Sequence, residues 1–172
     1  MTTRTNDATR LLAQDHREVE AMFDKFEGLG ERAKVGKKNL AEEICQALTV
    51  HTQLEEELFY PAVRGCGKEF EDLIDEAVVE HASAKELIAQ IQDMDSEDDL
   101  FDAKVKVLSE QIQHHVQEEE KELFPKVRKA DLDLDALGEQ LLQRKEELEA
   151  GASDELVAAS RRGGAEANRA SR

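Results

Sequence analysis

The sequence predicts an all-α protein, an up-down-up-down four-helix bundle followed by an extra C-terminal helix and a disordered tail. Three observations carry that reading. Charged residues make up 37% and aromatics 4%, with no Trp and only two Pro in 172 residues, which favours helices over a β-fold. Apolar residues recur at helical spacing in four segments separated by glycine-containing or acidic breaks. One stretch is written twice. It runs His51-Thr-Gln-Leu-Glu55 to Leu-Phe-Tyr-Pro61, then His115-Val-Gln-Glu-Glu119 to Glu-Leu-Phe-Pro125, displaced by 64 positions. A fainter repeat, Asp15-His16 and Glu80-His81, is displaced by 65, so the chain reads as two similar helix hairpins.

The bundle is expected over residues 7–130. Asp7 is the expected N-cap of the first helix, whose stripe is Leu12, His16, Val19, Phe23 and Phe26 and whose end is marked by Gly28 and Gly30. The second helix shows Leu40, Ile44, Leu48, His51, Glu55 and Leu58, with Pro61 predicting a kink in its last turn. The third carries Ile74, Ala77, His81, Ile88 and Ile91, ahead of an acidic loop where Ser96 and Asp99 resemble a helix-start box. The fourth runs Phe101, Val105, Leu108, Ile112, His115, Glu119 and Leu123. Leu134, Leu137, Leu141 and Leu148 predict a peripheral helix over 131–150, and the Ala, Ser, Gly and Arg of 151–172 predict a disordered tail.

A formal charge of −17 repels phosphate backbones and anionic lipid, which excludes nucleic acid and membrane surfaces as expected partners. No apolar run reaches the roughly 18 residues of a membrane span. Met1 to Arg10 is polar rather than signal-like, so the expected location is cytoplasmic. Cys45 and Cys66 form no C-x-x-C pair and read as free thiols. The Gly28-Leu-Gly30 run follows no strand and is no dinucleotide fingerprint, and the sequence has neither H-E-x-x-H nor a phosphate-binding G-x-x-x-x-G-K-[ST].

The chemistry lies on the inward stripes. Residues i and i+4 share a helix face, so His51 with Glu55 and His115 with Glu119 each aim an imidazole and a carboxylate one way. His16 and His81 add two more imidazoles. An unpaired buried carboxylate costs several kcal/mol, against a whole-domain stability of about 5–15 kcal/mol, so Glu55 and Glu119 require compensation. The interior stripes supply only Lys85, which leaves metal ions as the better compensators. His114 also precedes a glutamate by four, Glu118, but its stripe is polar and it is assigned to the solvated rim. Glu56, Glu57, Glu118, Glu120 and Glu122 read as solvated faces, some of them orienting the imidazoles from behind.

Four imidazoles and two carboxylates without a thiolate suit iron, manganese or zinc. Six ligands serve two metals only if both glutamates bridge, with His16 and His51 on one ion and His81 and His115 on the other. Such a site keeps open positions. Lys85 is expected to face inward as a hydrogen-bond donor near the metals, the alternative being a core-edge lysine that snorkels out or pairs with a carboxylate. Glu20, four after His16, is a candidate extra ligand, while Tyr60 lies off the stripe and is placed outside the site. No histidine has a glutamate three residues before it, which disfavours the Glu-x-x-His class of dimetal bundles.

With Asp15-His16, His51-x-x-x-Glu55, Glu80-His81 and His115-x-x-x-Glu119 in hand, the chain from about Leu11 to Lys129 resembles the hemerythrin-like proteins, the HHE cation-binding domain family. The resemblance implies a four-helix bundle holding two iron ions in a non-haem site. Oxygen-carrying members have His-x-x-x-His on the third helix and His-x-x-x-x-Asp on the fourth. Here Lys85 replaces the second histidine, and glutamates stand at the fourth and fifth positions after His115. These departures count against reversible oxygen carriage. The function expected is binding or reduction of a small oxidant, dioxygen, peroxide or nitric oxide, with catalase-like peroxide decomposition as one enzymatic form. The alternative is an iron- or oxygen-responsive protein without turnover, engaging a partner protein through its C-terminal region. A structural zinc bundle is the third reading.

Overall fold

Four long helical rods pack around one interior, and a fifth lies across the first two. The computed structural model describes residues 7–167, with side chains through residue 154. Helix α1 spans Ala8–Glu27, and Asp7 caps it as expected, its carboxylate accepting from the Thr9 and Arg10 amides. Helix α2 spans Lys34–Leu54 and continues through a π-helical turn, Glu55–Phe59, into Tyr60–Arg64. A 3₁₀ turn at Lys68–Phe70 leads into α3, Glu71–Asp93. Helix α4 spans Phe101–Glu118 and continues through a second π-helical turn, Glu119–Leu123, into Phe124–Val127. The described residues contain no strand.

The prolines explain the π-turns. Pro61 has no amide to donate to residue 57, and its ring would strike that carbonyl in an α-helix. Widening the helix by one residue removes both problems, and the Tyr60 amide bonds the Glu55 carbonyl five residues back. Phe124 bonds Glu119 the same way ahead of Pro125. The expected kink is therefore a one-turn widening that begins at the glutamate of each motif.

The expected helix-start box before α4 does not form. Leu100 occupies the N-cap position without a side-chain bond, and Asp98 orders the turn by accepting from the Asp95 amide at 2.8 Å. Helix α5 spans Leu134–Ala167 and seats Leu137 and Leu141 against α1 and α2. It runs past the expected end at residue 150, since no proline stops it and Gly151 alone costs only about 1 kcal/mol. Residues 168–172 of the expected tail lie outside the described residues.

Two apolar layers sandwich the middle of the bundle. Val19, Phe23, Leu48, Leu108 and Ile112 belong to one, toward the α1–α2 loop. Leu12, Leu54, Phe59, Ile74, Leu123 and Phe124 belong to the other, toward the prolines. Between them each rod contributes buried polar side chains. No described helix is long and apolar enough to cross a membrane.

Candidate metal centre

His16 follows Leu12 by one turn, His51 precedes Leu54, His81 follows Ala77 and His115 follows Ile112, so all four imidazoles enter the layer between the two apolar clusters. Glu55 and Glu119 enter the same layer and are almost wholly shielded, at 0% and 2% exposure. The six sequence-predicted side chains therefore meet. His16 Nε2 stands 3.1 Å from His51 Nε2, and His81 Nε2 stands 3.1 Å from His115 Nε2. Glu55 lies between the pairs, with Oε1 3.2 Å from His51 and Oε2 3.2 Å from His81. Glu119 Oε2 is 3.3 Å from His16 and 3.5 Å from His115.

Each imidazole is held from behind by a carboxylate on its Nδ1. Glu120 takes His16 at 2.8 Å, Asp15 takes His51 at 3.5 Å, Glu56 takes His81 at 3.0 Å and Glu80 takes His115 at 2.7 Å. A neutral imidazole has one N–H, and a carboxylate can only accept it. Donating from Nδ1 turns the Nε2 lone pair inward in all four. Lone pairs then face lone pairs and carboxylate oxygens, and Glu55 Oε1 and Glu119 Oε2 have no hydrogen-bond donor. A cation resolves this. With bonds of about 2.1 Å its ligand atoms stand about 3.0 Å apart in an octahedron and about 3.4 Å apart in a tetrahedron. Five of the inward distances, 3.1–3.3 Å, fall in that range, and Glu119 to His115 at 3.5 Å lies just beyond it. Two groups have the spacing for one ion each: His16, His51, Glu55 and Glu119, and Glu55, His81 and His115.

Protons meet the same demand when no cation is bound. Burial lowers the His51 pKa, but Glu55, Asp15 and Glu119 outweigh it and hold it at about 10. His115 is likewise raised despite burial, by Glu119, Glu55 and Glu80. Burial pushes the Glu55 carboxyl up, yet the imidazoles, His51 foremost, hold it well below the usual range.

Three expectations are corrected. Tyr60, placed outside the site, points into it: its hydroxyl donates to Glu119 Oε1 at 2.8 Å and lies 3.4 Å from Glu55 Oε2. Five residues separate it from Glu55, about 140° on an α-helix, but the π-turn stacks i on i+5. Burial and the two carboxylates push its pKa well up, so the phenol keeps its proton. Lys85 does not face inward. Its side chain is 45% exposed and binds Glu56 at 2.6 Å, completing a chain from Lys85 through Glu56 to His81. Glu20 lies outside both groups with metal-ligand spacing and pairs with Arg17, which also pairs with Glu120 behind His16. Half-buried carboxylates with water access, such as Glu20 and Glu56, carry their charge at far less cost than the buried layer.

A family model for the Hemerythrin HHE cation binding domain matches residues 7–127. The chain belongs to the hemerythrin HHE cation-binding domain family. This HHE domain superimposes on the crystal structure of a hemerythrin HHE cation binding domain-containing protein from Mycobacterium kansasii, the Rv2633c homologue, with a TM-score of 0.74. That likeness covers 87% of this chain and 91% of the other at 21% identity, and it speaks for the fold. A curated relative, the DNA nickase of Nostoc sp. (strain PCC 7120 / SAG 25.82 / UTEX 2576), is 28% identical over 118 residues, which are 69% of this chain. The chain spans only 32% of that relative's length.

A small cavity adjoins the histidines of the HHE domain on the side away from Tyr60, walled by Val19, Leu48, Ile112 and Val116. At about 10 Å³ it has room for one water-sized molecule. The free thiols stand apart from this chemistry: Cys45 lies in the apolar layer, where burial raises its pKa to about 11.

Proposed function

We propose that His16, His51, Glu55, His81, His115 and Glu119 hold two iron ions, with both glutamates shared, and that the protein binds or reduces a small oxidant there: dioxygen, peroxide or nitric oxide. The observation that carries the reading is the convergence of four Nε2 lone pairs and two orphaned carboxylate oxygens in a layer without a competing cation. Iron held there would exchange electrons with the oxidant by cycling between two oxidation states. The chain's own residues do the rest. Asp15, Glu56, Glu80 and Glu120 fix the imidazole tautomers, and Val19, Leu48, Ile112 and Val116 limit the guest to a few atoms. Tyr60 keeps one proton inside the layer, donated to Glu119.

Elemental analysis should find about two irons per chain in the wild type and well under one in a His51→Ala, His115→Ala variant. Peroxide consumption that persists in that variant would sink the catalytic form of the reading. The nickase named for the Nostoc relative acts on a phosphate backbone, which a chain of charge −17 repels.

A second reading, an iron- or oxygen-responsive protein without turnover, is favoured by one contact. Lys145 of α5 donates to Asp15 at 2.7 Å, directly behind His51, so α5 touches the support of the site. If cation binding alters how α5 sits, limited proteolysis of the C-terminal region will differ between loaded and metal-free protein. Equal cleavage in both would remove this reading.

A further inference from the structure

The two hairpins treat their supporting carboxylates alike in three places out of four. Behind His51, Asp15 is paired with Lys145 at 2.7 Å. Behind His81, Glu56 is paired with Lys85 at 2.6 Å, and behind His16, Glu120 is paired with Arg17. Each carboxylate thus stands between an imidazole and a fixed cation. Glu80 differs. Its Oε2 accepts from His115 at 2.7 Å, but its Oε1 has only His114, 3.5 Å away, and no lysine or arginine stands within ion-pair distance among the described residues.

The internal repeat shows what has changed. Helix α5 lies over Leu11, Gln14, Asp15, Glu18 and Leu54, with Ala47 and Val50 beside them. Displaced by 65 in α3 and 64 in α4, Asp15, Glu18, Ala47 and Val50 of that groove become Glu80, Ser83, Gln111 and His114, and Gln14 becomes Val79. Those five residues line an uncovered groove of about 240 Å³. The apolar seats of α5 do not recur, because Leu11 becomes Glu76, Val50 becomes His114 and Leu54 becomes Glu118. A leucine-faced helix would bury acids there. A small cation would not.

We propose that Glu80, His114 and Glu118 form a surface site for a divalent transition-metal ion, which supplies at Glu80 the positive charge that Lys145 supplies at Asp15. The ligand atoms of the three lie within 4.8 Å of one another. His114 Nε2 is 3.2 Å from Glu118 Oε1 and 3.5 Å from Glu80 Oε1, close to the ligand spacings of about 3.0–3.4 Å expected around such an ion. His114 and Glu118 are one helical turn apart on α4, so the backbone holds the pair in place. Glu76 and Glu122 add negative field at Glu118. The imidazole favours Zn²⁺, Fe²⁺ or Mn²⁺ over Ca²⁺, and solvent fills the remaining positions.

The site stands without the di-iron reading. Only its service to His115 rests on that reading. Full-length protein purified with its bound metal is titrated with Zn²⁺ by calorimetry and assayed for tightly held iron before and after. The wild type should take up one additional, weaker equivalent of Zn²⁺, and His114→Ala and Glu118→Gln should each lose it with iron content unchanged. His114 is 63% exposed on its side chain, so these variants should fold as the wild type does, which circular dichroism checks. Zn²⁺ uptake by both variants equal to that of the wild type, or no additional equivalent in the wild type, overturns the proposal. Absence of tight iron in the wild type would instead strike the di-iron reading and leave the Zn²⁺ comparison intact.

Discussion

The hairpin α1–α2 and the hairpin α3–α4 offer the same inner atoms and different outer ones. Inside, two imidazoles meet at 3.1 Å in each, and each glutamate touches histidines of both hairpins. Outside, the halves diverge. Tyr60 occupies the first π-turn exit and Phe124 the second, where its ring stacks on His16 at 5.9 Å. Arg17 backs one carboxylate and Lys85 its counterpart, and α5 covers one hairpin while the other stays bare. The inner set tolerates little change because both carboxylates are shared between pairs. The supports can differ because they need only accept one N–H and carry compensating charge.

The largest effect should come from breaking the sharing. In Glu55→Ala the two ions should be lost together, iron falling from about two per chain to well under one, because Oε1 and Oε2 serve different histidine pairs. Glu119→Ala should do the same. Elemental analysis of both variants checks this, and retention of one full equivalent in either would mean that the halves bind independently.

Proton linkage distinguishes the loaded from the empty site. The folded pKa of His51 is raised from 6.5 to about 10, so in metal-free protein its contribution to stability is fully present below pH 6.5 and is lost as pH rises through about 10. His115 shifts in the same direction. Thermal melts of metal-free protein should therefore fall steadily across that window. A cation needs deprotonated imidazoles, so its stabilisation grows over the same range, and the gap between loaded and metal-free melts should widen toward alkaline pH. A constant gap would mean that these imidazoles do not bind the cation.

Tyr60→Phe makes the two π-turn exits chemically alike. It removes a donor to a buried carboxylate, about 1.5–3 kcal/mol, or roughly 3–12 °C in the melt of a chain this size. Iron content should hold, since the Tyr60 hydroxyl donates to Glu119 at 2.8 Å and burial beside the two carboxylates keeps its proton on. Loss of iron in this variant would make Tyr60 a ligand rather than a donor.

The fold and the inner set were legible because both are periodic. His51-x-x-x-Glu55 and its copy fall on one α-helical face ahead of the π-turns, and the flanking Leu12, Leu54 and Ile112 mark that face as buried. Tyr60 was hidden because the widening between Glu55 and Phe59 changes the period, and the only local signal of it is the proline that follows. Asp15 and Glu80 were visible beside His16 and His81 but support the other histidine of their own hairpin, His51 and His115, whereas Glu56 and Glu120 reach histidines of the opposite hairpin, and both pairings need the tertiary arrangement. Lys85 and Glu20 share the i+4 offset of the glutamates but sit on α3 and α1, where that position is taken by surface ion pairs.

The smallest expected effects test the outer supports. Lys145 and Lys85 are both partly exposed, so each ion pair adds no more than about 1 kcal/mol to folding, and Lys145→Ala and Lys85→Ala should melt within a few degrees of the wild type. Their influence should appear in cation release instead. Lys145 acts on His51 through Asp15, and Lys85 acts on His81 through Glu56, so each reaches a different histidine pair. Removal of metal by a chelator should become several-fold faster in one phase in each variant and faster in both phases in the double variant. Equal acceleration of both phases by a single substitution would show that the shared glutamates couple the ions too tightly for either support to act on its own side.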